Sequence, residues 1–306
     1  MKINIHASLL LLGPLLLGGC NRHENEKTAD TPAPTPVHIV VIGSDGFSAE
    51  TLRNHPGSFP HIEAMMKNGS FTLKHRSVLP SSSAANWASM LMGASPELHG
   101  YTTWGSKHPD LPPRETGSYG RFPGIFGLIR SATPNATTGY FYNWEIMDCL
   151  FDKGSETLSK QGSDTAIAKE AIRFIREKQP TLTFIAFHEP DTTGHKNGWL
   201  SPEYMKQAMA IDRYVGDIRA AVEQSPIAKT AYVIFTADHG GQAKNHGGKT
   251  MAEMEVPFVI TGPDIRKNHE IRESTMMYDT AATLADLLRQ KRPQVWIGRP
   301  IPGIRE

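Results

Sequence analysis

Four short runs of β-branched and aromatic residues recur along this chain, each closing in small or polar loop residues: "VHIVVIGSDG" (37–46), "TLTFIAFHEP" (181–190), "AYVIFTADHG" (231–240) and "VPFVITGP" (256–263). A fifth, "TTGYFYNW" (137–144), is a weaker version. Apolar runs of this length suit strands buried on both faces. Helix-length stretches lie between them. Ile167, Ala171, Phe174 and Ile175 share one helical face behind Asp164, the expected N-cap. Ser201 as cap and Pro202 at the first position open a longer helix with the stripe Ala208, Ile211, Val215, Ile218 and Val222. Residues 278–290 read as a third helix. This alternation predicts an α/β fold, a doubly wound, mostly parallel sheet with helices on both faces.

No internal repeat and no second linker interrupts the pattern, so residues 37–306 are expected to form one domain. A net charge of +1 with 21% charged residues gives no electrostatic reason to expect a nucleic-acid partner. The first twenty residues differ from the rest: Lys2, then "ASLLLLGPLLLGG", apolar but too short to span a bilayer, then Cys20. This reads as an export signal over 1–20. Its end, "LGGC", resembles the lipobox of bacterial lipoproteins, which implies a lipidated Cys20 and attachment to a membrane. Residues 21–36 carry several prolines and no large apolar side chain, as a tether does. Asn21 after the cysteine implies, by the same resemblance, sorting to the outer membrane. With Cys20 lipidated, Cys149 has no disulfide partner and is expected to be a buried thiol.

In doubly wound sheets, sites gather beyond the carboxyl ends of the strands. Here those ends read "GSDG" with Asp45, "HEPDTTGH" with Asp191 and His195, and "TADHGGQAKNHGG" with Asp238, His239 and His246. Pro190 and Gly194 make a loop the expected setting for Asp191 and His195. Three aspartates and three histidines without a thiolate suit zinc, or another first-row divalent ion, rather than calcium. Six ligands exceed the needs of one catalytic zinc, and two ions fit better, an arrangement that serves displacement at phosphorus. Ser81, Ser82 and Ser83 precede a helix expected from about Ala84 to Met92. A helix N-terminus favours a bound phosphate, and any of these serines is a candidate nucleophile. Trp87, Trp104, Tyr142 and Trp144 read as core rather than pocket walls. His99 reads as structural, Lys249 as a surface lysine, and His188 is undecided.

These motifs together resemble the alkaline phosphatase superfamily. Asp45 follows the first strand, and a serine is followed three positions later by Asn86. Then come "G-x-x-P-E-x-H-G" (93–100), "E-P-D-x-x-G-H" (189–195), "A-D-H-G" (237–240) and a last "H-G" (246–247). The chain is most similar to the type I phosphodiesterase and nucleotide pyrophosphatase branch, from about residue 38 to 300. The resemblance implies an alkaline-phosphatase-like catalytic domain with a small cap, acting on a small-molecule phosphoric ester. It implies Ser83 as nucleophile and Asn86 as a donor to the non-bridging phosphate oxygens. It places one zinc on Asp191, His195 and His246, and a second on Asp45, Asp238, His239 and the Ser83 oxygen. Two departures stand out: "SAAN" replaces the "T-F-P-N" common in the phosphodiesterase branch, and serine is the nucleophile of the phosphomonoesterases. A phosphomonoesterase is therefore the alternative, followed by an inactive binding relative. A sulfatase would need a "C/S-x-P-S/T-R" motif, and none follows these serines.

Overall fold

A computed structural model describes residues 36–306. The expected export signal, Cys20 and the tether up to residue 35 lie outside the described residues. Eight strands form one sheet: β1 (His38–Ser44), β2 (Ser70–Arg76), β3 (Thr138–Tyr142), β4 (Leu158–Gln161), β5 (Leu182–Phe187), β6 (Ala231–Ala237), β7 (Glu255–Thr261) and β8 (His269–Glu270). Their order is β4-β3-β5-β1-β6-β7-β2-β8. The first five in that order run parallel, β7 is antiparallel to both its neighbours, and β8 is parallel to β2.

The helices are α1 (Ala49–Arg53), α2 (Pro60–Asn68), α3 (Ser83–Met92), α4 (Pro96–His99), α5 (Ile125–Ala132), α6 (Asp164–Lys178), α7 (Asp191–Asn197), α8 (Pro202–Glu223), α9 (Met251–Met254) and α10 (Asp279–Leu287), with a 3-10 turn at Glu145–Cys149. They flank the sheet. The α6 helix packs on β3, β5 and α8, while α3 packs against α5 and α10. No helix among the described residues is long and apolar enough to cross a membrane.

All seven residues of β1 are buried, which is why it reads as an unbroken apolar run rather than an alternating one. Register then decides where chemistry collects. Ser44 of β1 pairs with Phe187 of β5 and with Ala237 of β6. The next residue on each strand is Asp45, His188 and Asp238, so three central strands deliver polar side chains at one level. The strands missed in the sequence have weaker patterns: β2 carries Lys74 and His75 within a half-buried run, and β4 is a four-residue edge.

The expected cap of α6 is corrected by the structure. Ser163 is the N-cap, accepting from the Ala166 N–H, and Asp164 is the first helical residue. At that position its carboxylate is free to leave the helix. It accepts the N–H groups of His188 (3.0 Å) and Glu189 (3.1 Å), and an Nδ2–H of Asn143 (2.8 Å). Asp164 thus ties the start of α6 to the loop that follows β5.

Hydrogen bonds to a charged acceptor contribute roughly 1.5–3 kcal/mol, whereas an N-cap bond contributes about 1. Asp164→Ala is therefore expected to destabilise the protein by roughly 2–3 kcal/mol in urea unfolding, more than Ser163→Ala. Equal losses would return the capping role to Asp164.

Candidate active site

The loop after β1 turns at Gly46, whose φ of +69° lies in the left-handed region. A Cβ there would come within 2.9 Å of the Asp191 Cα, so glycine is also what lets the loops after β1 and β5 touch. Both polar groups of Gly46 are used: its N–H donates to Asp238 Oδ1 (3.1 Å), and its carbonyl accepts from Trp199 Nε1 and the Tyr204 hydroxyl, each at 2.9 Å.

Asp191 and His195 sit not on a loop but on α7, which corrects the expectation from Pro190 and Gly194. Pro190 precedes the first helical residue, where its missing N–H costs nothing. Gly194 is a packing requirement, since a Cβ would approach the Trp199 indole to 2.9 Å. Asp191 and His195 therefore share a helix face, with Oδ2 and Nε2 3.6 Å apart.

The structure brings the six expected metal-ligating side chains together. His239 Nε2 lies 3.4 Å from Asp45 Oδ1, 3.3 Å from Asp238 Oδ2 and 3.0 Å from Ser83 Oγ. His246 Nε2 is 3.7 Å from Asp191 Oδ1. Two groupings have ligand atoms close enough to share an ion: Asp45, Asp238 and His239, and Asp191, His239 and His246.

The hydrogen bonds test whether a cation fits. Each histidine bonds its Nδ1 to a backbone carbonyl: His239 to Gly240 (2.7 Å), His246 to Ser81 (3.1 Å) and His195 to Lys244 (2.9 Å). A carbonyl only accepts, so each Nδ1 carries the proton. Burial pushes His239 down to about 3 and also lowers His246, so both rings are neutral and present an Nε2 lone pair to a carboxylate oxygen. Once those carboxyls ionise, lone pair faces lone pair, which is repulsive unless a cation lies between them. Asp45 Oδ1, Asp191 Oδ1 and Asp238 Oδ2 are moreover buried without a hydrogen-bond partner. The donor set thus fits first-row divalent ions, with the carbonyls orienting the imidazoles.

The three carboxylates titrate apart. Burial, then the charges of Asp45 and Asp191, push Asp238 well above the usual carboxylate range. Burial and the Asp45 charge raise Asp191 to about 8. Burial opposes the charge on Asp45, yet the neighbouring His188 outweighs it, and Asp45 lies below its ordinary value. His188, whose Nδ1 is 3.7 Å from Asp45 Oδ2, rises to about 9, its own burial being overcome by Asp45. His188, left undecided by the sequence, directly follows β5 at the register level of Asp45 and Asp238.

Beside this cluster opens a cavity of about 710 Å³, with Ser82, Ser83, Asp191, His195 and His246 in its wall. The opposite wall is aromatic. Trp104 and Trp144 stack at 6.4 Å with an 18° interplanar angle, and Trp144 stacks on His188 at 6.2 Å and 5°. Expected in the core, Trp104 is 66% exposed. It stands on the helix-free stretch 101–124, whose Tyr101 and Phe122 are buried while Trp104 faces the cavity. Trp87 and Tyr142 are buried, and Trp87 donates its indole N–H to Asp45 Oδ2 (3.3 Å). Lys249 is exposed, Cys149 is only half-buried, and buried His99 accepts the Tyr101 N–H and meets the Ser89 hydroxyl.

Asn86 has a different task from the one expected. Its Oδ1 accepts the Val78 N–H (2.7 Å), while its amide donates to the carbonyls of Pro80 (3.0 Å) and Ser82 (2.9 Å). Fully buried, with both N–H groups committed to backbone, it holds the loop before Ser83 and presents no donor to the cavity.

A family model described as type I phosphodiesterase / nucleotide pyrophosphatase matches residues 39–118 and 129–273. Venom phosphodiesterase 2 of Crotalus adamanteus is 25% identical over 214 residues, 66% of this chain and 26% of that protein. The chain thus spans about a quarter of the length of that relative. Among solved structures, an inactive variant of murine ectonucleotide pyrophosphatase/phosphodiesterase 5 in complex with AMP superposes with a TM-score of 0.70 at 19% identity, covering 84% of this chain and 96% of that one. A 2-O GAG sulfatase superposes with a TM-score of 0.68 at 12% identity, covering 87% of this chain and 73% of that one.

Stripped of metal, the cluster holds protons on Asp191 and Asp238 that a bound cation must displace. Both carboxyls have folded values above their unfolded ones, so their contribution to metal-free stability is full at acid pH and is lost as pH rises, for Asp191 through about 8. The rise in unfolding midpoint on adding zinc to chelator-treated protein is therefore expected to be larger at pH 8.5 than at pH 5.5. A gain equal at both pH values would contradict this titration, and no gain at either would contradict the metal assignment.

Proposed function

The chain belongs to the type I phosphodiesterase/nucleotide pyrophosphatase family of the alkaline phosphatase superfamily, and from that premise we propose that it is a two-metal hydrolase of phosphodiesters that works through a phosphoserine at Ser83. One observation carries the reading: Ser83 Oγ stands at the N-terminus of α3, 3.0 Å from His239 Nε2, beside both ligand groupings.

Asp45, Asp238 and His239 would hold one ion with the Ser83 oxygen, and Asp191, His195 and His246 the other. When bound, two zinc ions or other first-row cations would favour loss of the serine proton and balance the charge on the attacking and leaving oxygens. Neutral His239 faces Ser83 with its lone pair and does not donate to it. Ser83 gives up its proton to solvent and its Oγ attacks phosphorus, forming an O–P bond as the bond to the leaving oxygen breaks; the departing alkoxide keeps the electron pair and takes a proton from solvent. Water then attacks the same phosphorus and releases a proton, and the bonding pair returns to Ser83 Oγ, which is reprotonated from solvent. The positive end of the α3 dipole favours the phosphoryl group through both steps.

The cavity supports a diester over a monoester. A phosphate at Ser83 fills only a small part of 710 Å³, and the Trp104 and Trp144 wall suits a second, planar ester group. A nucleotide-type substrate agrees with that wall and with the AMP bound by the murine relative. The serine nucleophile favours a phosphomonoesterase as the second reading. We further assign residues 37–306 to the catalytic domain, 21–36 to a tether and Cys20 to a lipid anchor on an exported protein.

Zinc-loaded protein at alkaline pH is expected to cleave bis-p-nitrophenyl phosphate faster than p-nitrophenyl phosphate, and Ser83→Ala to lower kcat by roughly 1,000-fold or more. Faster monoester cleavage would select the phosphatase, and full activity in Ser83→Ala would remove the nucleophile assignment. Cys20→Ala is expected to move the protein from the membrane fraction to the soluble fraction, and continued sedimentation with membranes would reject the lipid anchor.

A further inference from the structure

The three consecutive serines before and at the start of α3 have three different fates. Ser81 donates its hydroxyl to the Gly248 carbonyl (2.7 Å), and its own carbonyl accepts from His246 Nδ1 and the Gly247 N–H. Ser83 meets His239. Ser82 lies between them, 4% exposed, in the wall of the same cavity, and its Oγ has no hydrogen-bond partner. A buried hydroxyl without a partner costs about 1–3 kcal/mol.

That orphan is the more telling because a local partner is near. Ser82 is the N-cap of α3 with extended backbone (φ −134°, ψ 157°), the setting in which a serine normally accepts an N–H of the first turn, and it makes no such bond. Its backbone is meanwhile fixed on both sides: the N–H donates to the Pro80 carbonyl (2.8 Å), and the carbonyl accepts from Asn86 Nδ2 (2.9 Å) and the Asn86 N–H (3.1 Å). The fold thus holds a hydroxyl rigidly next to the nucleophile and gives it nothing to bond. Of the six other orphaned buried side-chain atoms among the described residues, Asp45 Oδ1, Asp191 Oδ1 and Asp238 Oδ2 belong to the ligand cluster and His188 Nδ1 lies beside it, while Thr183 Oγ1 and Arg305 Nε stand elsewhere.

We propose that the Ser82 hydroxyl is a substrate-contacting donor that hydrogen-bonds a non-bridging oxygen of the phosphoryl group attacked by Ser83. The inference rests on the Ser83 reading above and fills the role that Asn86 cannot take. Negative charge on the phosphoryl oxygens is the feature a neutral O–H in a helix N-terminus recognises, and the bond strengthens as the group approaches the transition state. Ser82 transfers no proton and forms no covalent bond. Its effect falls on kcat more than on KM.

The test uses the full-length zinc-loaded protein with bis-p-nitrophenyl phosphate, comparing Ser82→Ala, Ser82→Thr and Ser83→Ala. Ser82→Ala is expected to lower kcat roughly 10- to 100-fold with KM little changed, and to weaken inhibition by orthovanadate by a similar factor. Ser82→Thr, which keeps the hydroxyl, is expected to recover most of that loss. Zinc content should stay at the wild-type value, and the unfolding midpoint of Ser82→Ala should not fall, because the variant removes an unsatisfied buried hydroxyl. A kcat in Ser82→Ala within about twofold of wild type overturns the proposal. So does a loss that accompanies lost zinc and is not recovered by Ser82→Thr, which would mark a structural role. Mass spectrometry of acid-quenched enzyme separates the proposal from its premise: phosphate on Ser83 retains the premise, whereas phosphate on Ser82 with turnover in Ser83→Ala overturns both.

Discussion

Three buried carboxylates face three imidazole nitrogens at the ends of β5, β1 and β6, and protein groups alone do not satisfy that arrangement. Burial pushes Asp191 and Asp238 toward their protonated forms, and ionising them costs several kcal/mol that a facing imidazole lone pair increases rather than relieves. The molecule does not avoid the conflict; it fixes it in place. Three backbone carbonyls hold the Nδ1 protons so that each Nε2 faces inward. Gly46 clamps Asp238, and Asp164 clamps the loop that carries His188. Around the cations this donor set calls for, each of these contacts becomes preorganisation, because ligands that are already positioned lose little freedom on binding.

The central chemistry was legible because parallel strands put the consequences of register into the sequence. A buried strand ends where its apolar run ends, so Asp45 and Asp238 could be placed at one edge without coordinates. The structure places the expected residues of the β5 end, Asp191 and His195, beside the other expected ligands, but their local structure differs from the expectation. Proline and glycine signalled a loop, while the α7 helix depends on Trp199 packing against Gly194, a tertiary contact that no local pattern carries. Asp164 and Asn86 mislead for a related reason. A polar side chain at a helix start has several possible partners, and the choice is made by the chain that packs beside it. For Asp164 that is the loop after β5, and for Asn86 the turn from Val78 to Ser82. The aromatic wall was missed because composition cannot distinguish a tryptophan beneath a second layer from one on a stretch without helix or strand.

The division between strand ends and loops also separates what the fold determines from what it leaves open. The sheet and its ligand-bearing edge are rigid, and a fold likeness that extends to a sulfatase as well as to a phosphodiesterase relative shows that this scaffold alone does not choose the chemistry. The choice falls to the short stretch from Ser81 to Asn86. There Ala85 and Trp87 stand where a sulfatase motif starting at Ser83 would place proline and arginine, and Asn86 anchors the turn through the carbonyls of Pro80 and Ser82. A turn anchored this tightly leaves the Ser82 and Ser83 hydroxyls as its side-chain polar groups in the cavity wall. On the proposed reading, phosphoryl specificity would depend on how those two neighbours share the work, one toward phosphorus and one toward its oxygens. On the same reading the aromatic wall, standing on a different part of the chain, would select the group that leaves.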